Sequence, residues 1–241
     1  MKNNINQIYH TSHCGSTLMS TLLANSTMVY CEPPWTSNLL NLNKKVNLNV
    51  DNATIKFGSG WCPFSKKLSK KLSGKKVFLY RKLKHHLFKI KSSNYVDRIV
   101  DAKYEHHLKN CHESLKQLNF KTDLEKIAFM WINNVQHIKE LDNVLWVEAN
   151  SFFENKKETM DKVCDHFNLS RIKNYDLSNF YVKSFGLIGK EKAINETEIP
   201  NLGQTKTLYP SFGVVEDYLC DQFSEISDIV SSIQENIDIE V

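Results

Sequence analysis

Ile8-Tyr9-His10-Thr11-Ser12-His13-Cys14-Gly15-Ser16-Thr17-Leu18 runs from a strand-like stretch into a glycine and two hydroxyl residues. Leu18, Met19, Leu22 and Leu23 follow at helical spacing. Strand, glycine turn and helix in this order make a loop that holds an anion on a helix N-terminus. The first backbone N–H groups of a helix have no partner within it, and the helix dipole adds partial positive charge there. Cys31-Glu32-Pro33-Pro34 closes a second short apolar run soon after.

Outward from this unit, Ile5–His10, Met28–Cys31, Ala53–Phe57, Lys76–Tyr80 and Asn143–Val147 read as short buried strands. Helical patterns lie between them at Ser16–Asn25, Arg81–Lys91, Leu124–Leu141 and Lys157–Phe167. Strands alternating with helices imply parallel pairing, so the expected fold is α/β: three layers, with a central, mostly parallel sheet flanked by helices. Ligands of such sheets sit beyond the carboxyl ends of the strands. The loop after His10, the stretch after Cys31, and Arg81 after Tyr80 all fall at such ends. The 241 residues suit one domain, with an irregular lid or acceptor-binding segment at about 170–213 and a C-terminal amphipathic helix.

Composition narrows the classes. No run approaches the ~20 apolar residues of a membrane span, and the polar N-terminus lacks the apolar core of a signal peptide. A cytoplasmic protein is expected. The six cysteines are scattered, with no Cys-x-x-Cys pair and no zinc-like spacing. Cys14 alone lies in the loop, where it either fills the turn or presents a thiol activated by the helix N-terminus. Leu42–Ser93 carries many lysines and Arg81 against one acidic residue, Asp51. Gly213–Val241 carries eight acidic residues and no lysine or arginine. The basic stretch reads as a solvated surface or as a site for an anion, either a phosphate-bearing small molecule or nucleic acid. No aromatic residues interleave the Lys66–Lys76 run, so nucleic acid ranks last.

The loop lacks the second glycine and the lysine of Gly-x-x-x-x-Gly-Lys-[Ser/Thr], which disfavours a kinase or triphosphatase. His13-Cys14-Gly15-Ser16-Thr17-Leu18-Met19 with Tyr30-Cys31-Glu32-Pro33-Pro34 instead resembles the sulfotransferase family, in the variant shared with tyrosylprotein sulfotransferases. That resemblance implies a P-loop-type fold and transfer of a sulfuryl group from 3′-phosphoadenosine 5′-phosphosulfate (PAPS) to a hydroxyl acceptor, without a metal. It assigns Cys14, Gly15, Ser16, Thr17 and Leu18 to the 5′-phosphosulfate. Lys75-Lys76-Val77-Phe78-Leu79-Tyr80-Arg81 is similar to the family strand whose arginine grips the 3′-phosphate. A planar guanidinium fork suits that role. Eight residues on, where the family carries serine, stands Lys89, a point charge for the same phosphate. Asn143–Ala149 and Lys157–Leu169 resemble the family's late strand and helix.

Sulfuryl transfer needs a base for the acceptor's proton and cations for the developing charge. By resemblance Glu32 is the base and Lys56 a cation. His13 stands where many members place lysine or arginine, and Ser184 is a further sulfate contact. A small-molecule or peptide hydroxyl is the expected partner, with acceptor specificity in Trp35–Asn52 and Phe180–Phe212. The replacements at His13 and Lys89 leave a second reading open, a catalytically inactive nucleotide-binding protein on the same fold.

Overall fold

The computed structural model describes residues 4–33, 36–40, 53–92, 96–116, 120–173, 175, 186–188 and 214–236. Five parallel strands form its centre: β1 Asn6–His10, β2 Val29–Cys31, β3 Thr54–Lys56, β4 Lys76–Tyr80 and β5 Val144–Glu148. A sixth, β6 Gly186–Ile188, pairs antiparallel with β2 and lies inside the segment expected to be irregular. The order is β5-β4-β1-β3-β2-β6. The order of connection therefore reverses at β1: the helix after β1 leaves on one face toward β2, while the helix after the neighbouring β4 leaves on the other face toward β5. The crevice above β1 is the position where such sheets take ligands.

Strand alternation divides the core in two. Ile8, Val77, Leu79 and Val147 face one side and pack with Leu22, Met160 and Val163. These come from α1 Ser16–Leu23 and α8 Lys156–Phe167, with α7 Ala149–Glu154 beside them. Tyr9, Ile55 and Phe78 face the other side, against Leu87, Trp131, Ile132 and Ile229. That layer comprises α4 Leu83–Ser92, α5 Val96–Lys109, α6 Asp123–Lys139 and α10 Ser224–Asn236. Shorter pieces are α2 Thr36–Leu40, a 3-10 turn Ser59–Phe64, α3 Ser65–Ser69, a second 3-10 turn Glu113–Leu115 and α9 Asp217–Asp221. Each fully buried Leu, Val or Phe contributes roughly 1.5–3 kcal/mol, so both faces are needed to hold the sheet. The expected three-layer α/β arrangement is the observed one.

Boundaries moved where caps decided them. The α6 helix begins at a capping box: Thr122 Oγ1 accepts from Glu125 N at 3.2 Å, and Glu125 Oε2 accepts from Thr122 N at 2.7 Å. The acidic C-terminal pattern, expected as one helix, is two, α9 and α10, separated at Gln222 and Phe223. Phe223 turns out of register to meet Phe88 of α4 at 5.9 Å between ring centroids. Asp221 and Glu225 then pair with Lys84 and Lys91 of α4, so this acidic end covers part of the chain's own basic segment.

Candidate functional site

The loop between β1 and α1 turns on Gly15, whose φ of +89° is left-handed. A Cβ there would also come within 2.7 Å of the Phe153 ring, so glycine is required twice over. No side chain caps the α1 N-terminus. His13 (φ 58°) and Glu32 (φ 45°) adopt the same uncommon backbone region, and such strain gathers where a site over-determines its geometry.

Glu32, Lys56 and Thr17 converge beside that loop. Glu32 follows β2 and pairs its backbone N–H with the Lys56 carbonyl at 2.8 Å. Its carboxylate forms an ion pair with the Lys56 ammonium. Lys56 Nζ also reaches Thr17 Oγ1 at 3.5 Å, at the first turn of α1. The lysine is buried, with a side chain 4% exposed, while the glutamate is 29% exposed and opens to solvent. Burial raises the Glu32 carboxyl, but the Lys56 charge and hydrogen bond together with the other neighbouring charges outweigh it and hold the group below its ordinary value. Glu32 is therefore a carboxylate at neutral pH.

His10, at the end of β1, was not among the sequence candidates. Its Nδ1 lies 3.1 Å from the Thr11 carbonyl, which can only accept, so Nδ1 carries the proton. Nε2 is then a bare lone pair, fully buried, with no hydrogen-bond partner and 3.9 Å from Glu32 Oε1. Two acceptors face one another there, an arrangement that suits a proton between them. Burial, then the neighbouring Lys56, lowers the His10 imidazole to about 3, so it stays neutral.

Other expected residues are placed differently. His13 is neutral too: burial first, then Lys103, Arg81 and Lys89, bring it down to about 4. It cannot serve as the loop's cation at neutral pH. Cys14 is buried and donates its thiol to the Thr11 carbonyl, and burial pushes that thiol up to about 11. It fills the turn and is no nucleophile. Ser16 and Leu18 are buried in the first turn of α1, with Thr17 at its edge.

Arg81, expected at the 3′-phosphate, is engaged within the protein. Its side chain is buried. Nε donates to the His13 carbonyl at 3.1 Å and Nη1 to Asn150 Oδ1 at 2.9 Å. The guanidinium also lies over the Phe153 ring, 5.7 Å from its centroid. It clamps the loop from beneath. Lys89, two turns along α4, is half-buried, and burial and the Arg81 charge lower its ammonium. Ser184 and Trp35 lie outside the described residues, as does most of Trp35–Asn52. Among the described residues no cluster of three or more His, Cys, Asp or Glu side chains is placed to hold a metal ion.

The fold has solved counterparts. The sulfotransferase domain from the curacin biosynthetic pathway superposes with a TM-score of 0.52, covering 96% of this chain and 98% of its own, at 11% identity. Mouse sulfotransferase SULT7A1 complexed with PAP superposes with a TM-score of 0.54, covering 99% of this chain and 87% of its own, at 12% identity. This chain has the sulfotransferase fold. No family model matches the sequence, and no curated protein matches it. At such identities the sulfotransferase fold is what the likeness shows, and residue roles rest on the geometry above.

Sequence reasoning missed His10 and Lys103. His10 stood in the quoted loop, but its role depends on where Glu32 arrives from a different strand. Lys103 sits on α5, and no local signal ties that helix to the loop. Its charge nonetheless acts on Glu32, His10 and His13.

Proposed function

We propose that the protein is a PAPS-dependent sulfotransferase acting on a hydroxyl acceptor. The observation that carries this reading is the Glu32–Lys56–Thr17 constellation at an uncapped, glycine-turned helix N-terminus, on a sulfotransferase fold. These residues fit an anionic donor: open amides and a buried ammonium face the same point. Binding of a relative's PAP agrees with that chemistry.

PAPS supplies an activated sulfuryl group. Glu32 takes the acceptor hydroxyl's proton as its oxygen attacks sulfur, and the bond from sulfur to the 5′-phosphate oxygen breaks. Lys56, drawn from Glu32 toward the donor, offsets charge on the departing phosphate together with the loop amides. That movement also frees Glu32, whose basicity rises as its cation leaves. Arg81 keeps the loop in shape by holding the His13 carbonyl. Lys89 is left as the nearer cation for the 3′-phosphate, with Ser184 assigned to sulfate by resemblance. The segment at about 170–213 serves as the lid or acceptor-binding element of a single domain. Six unpaired cysteines and the lack, among the described residues, of a helix long and apolar enough to cross a membrane agree with a cytoplasmic setting.

The decisive variant is Glu32→Gln. It lowers transfer by about 100-fold or more, within the range of general-base effects, while adenosine 3′,5′-bisphosphate binds with nearly unchanged affinity by calorimetry. Unchanged turnover removes Glu32 from the mechanism. A binding-only protein is the second reading, favoured by the neutral His13 and the buried Arg81. It predicts bisphosphate binding with no transfer to any of a panel of phenols, sugars and tyrosyl peptides.

A further inference from the structure

Most positive charges around the loop are already engaged. Lys56 is paired with Glu32, and Arg81 donates to the His13 carbonyl and to Asn150. The histidines His10 and His13 are neutral. Lys103 differs. It is half-buried and has no hydrogen bond or ion pair to any described residue.

Its direction follows from its helix neighbours. His106, three residues on, donates from Nε2 to the Gly60 carbonyl at 3.0 Å, and its ring lies edge-on to Phe64 at 5.6 Å. Both partners belong to the 3-10 turn that follows β3. On the other flank, Tyr104 meets Phe129 at 5.4 Å and His107 Nδ1 lies 3.1 Å from Asn133 Nδ2, both on α6. Residues 103 and 106 share a helix face, so Lys103 lies on the flank turned to that 3-10 turn, one turn nearer the α5 N-terminus. The turn itself abuts the site: a Cβ on Gly58 would sit 3.5 Å from Glu32 Oε2. Burial lowers the Lys103 ammonium, and the Glu32 charge acts in the opposite direction.

We propose that Lys103 binds the sulfonate of the donor, supplying from α5 the uncommitted cation that the loop itself does not carry. The proposal rests on the donor reading above. A half-buried ammonium with no ion pair among the described residues is costly, and a sulfonate offsets that cost. Because Lys56 and the loop amides face the phosphate side, Lys103 distinguishes the donor from its desulfonated product.

Calorimetry with PAPS and with adenosine 3′,5′-bisphosphate, on the wild type, Lys103→Met and Lys103→Arg, tests this without any acceptor. Lys103→Met should weaken PAPS about tenfold or more and the bisphosphate less than twofold. Lys103→Arg should recover most of the difference. Equal weakening of both ligands, or of neither, overturns the role given to Lys103 and leaves the donor reading standing. A wild type that binds neither ligand overturns the donor reading, and this proposal with it. Melting temperatures of both variants check that each is folded.

Discussion

His10 shows how one side chain acquires a role from its surroundings. Its Nδ1–H is committed to the Thr11 carbonyl, so Nε2 offers an acceptor beside Glu32 and no described residue fills it. Once Glu32 has taken a proton, that lone pair can accept a hydrogen bond from the carboxyl and favour its protonated form. His10 is thus a positioning residue for the base. His10→Asn retains a donor to Thr11 and loses the Nε2 acceptor, so kcat should fall about tenfold with KM and bisphosphate affinity little changed. His10→Gln, which places an amide oxygen near the Nε2 position, should recover part of the loss. A fall confined to KM, or equal losses in both variants, would contradict the assignment. Glu32 and Lys56 were named from the sequence by resemblance, and the structure brings their side chains together. His10 was not, since its partner arrives from 22 positions away in sequence.

At the scale of elements, Asn150 at the start of α7 joins pieces that the chain keeps far apart. Its Oδ1 accepts from Arg81 Nη1 at 2.9 Å and from Val215 N at 3.0 Å. Its Nδ2 donates to the Val215 carbonyl at 2.8 Å and meets His85 Nδ1 at 3.3 Å. One amide thereby ties the loop clamp, α4 and the stretch leading into α9. Asn150→Ala leaves a buried guanidinium short of an acceptor, and should cost about 1–3 kcal/mol in urea unfolding. It should also weaken bisphosphate binding, because the His13 carbonyl loses a fixed Arg81. Wild-type stability and affinity in that variant would remove Asn150 from this role. Element types were readable from apolar spacing, with β4 matching over its whole length, Lys76–Tyr80. The Asn150 hub was not, because a single amide has no periodicity, and the break between α9 and α10 reflects the contact of Phe223 with Phe88.

Across the whole molecule, burial of neutral histidines sets the response to acid. His10 and His107 are lowered to about 3 and His13 to about 4, in each case chiefly by burial, and His86 lies well below its ordinary value. Each folded-state value lies below the unfolded value of about 6.5. Between the two, the unfolded chain binds protons that the native state refuses. Stability is therefore full above about pH 6.5 and is lost as pH falls toward 4, at up to ~1.4 kcal/mol per pH unit for each buried histidine. The urea midpoint should drop progressively from pH 7 to pH 4.5, and a flat profile over that range would count against the buried neutral state. The charge asymmetry along the chain is also settled at this scale: acidic Asp221 and Glu225 meet basic Lys84 and Lys91 within the fold, while Lys66 and Lys67 on α3 and Lys70 just after it stay exposed. By itself, the sequence determined the strand–helix alternation and the glycine turn into a helix N-terminus, because these depend on residues within a few positions of one another. Only the tertiary structure decided that Arg81 serves the loop, that His13 is neutral, that His10 stands beside Glu32, and that the Lys103 charge acts on that carboxylate. Burial and charge are properties of neighbours in space, and the crossing of β1, β3 and α5 chooses those neighbours.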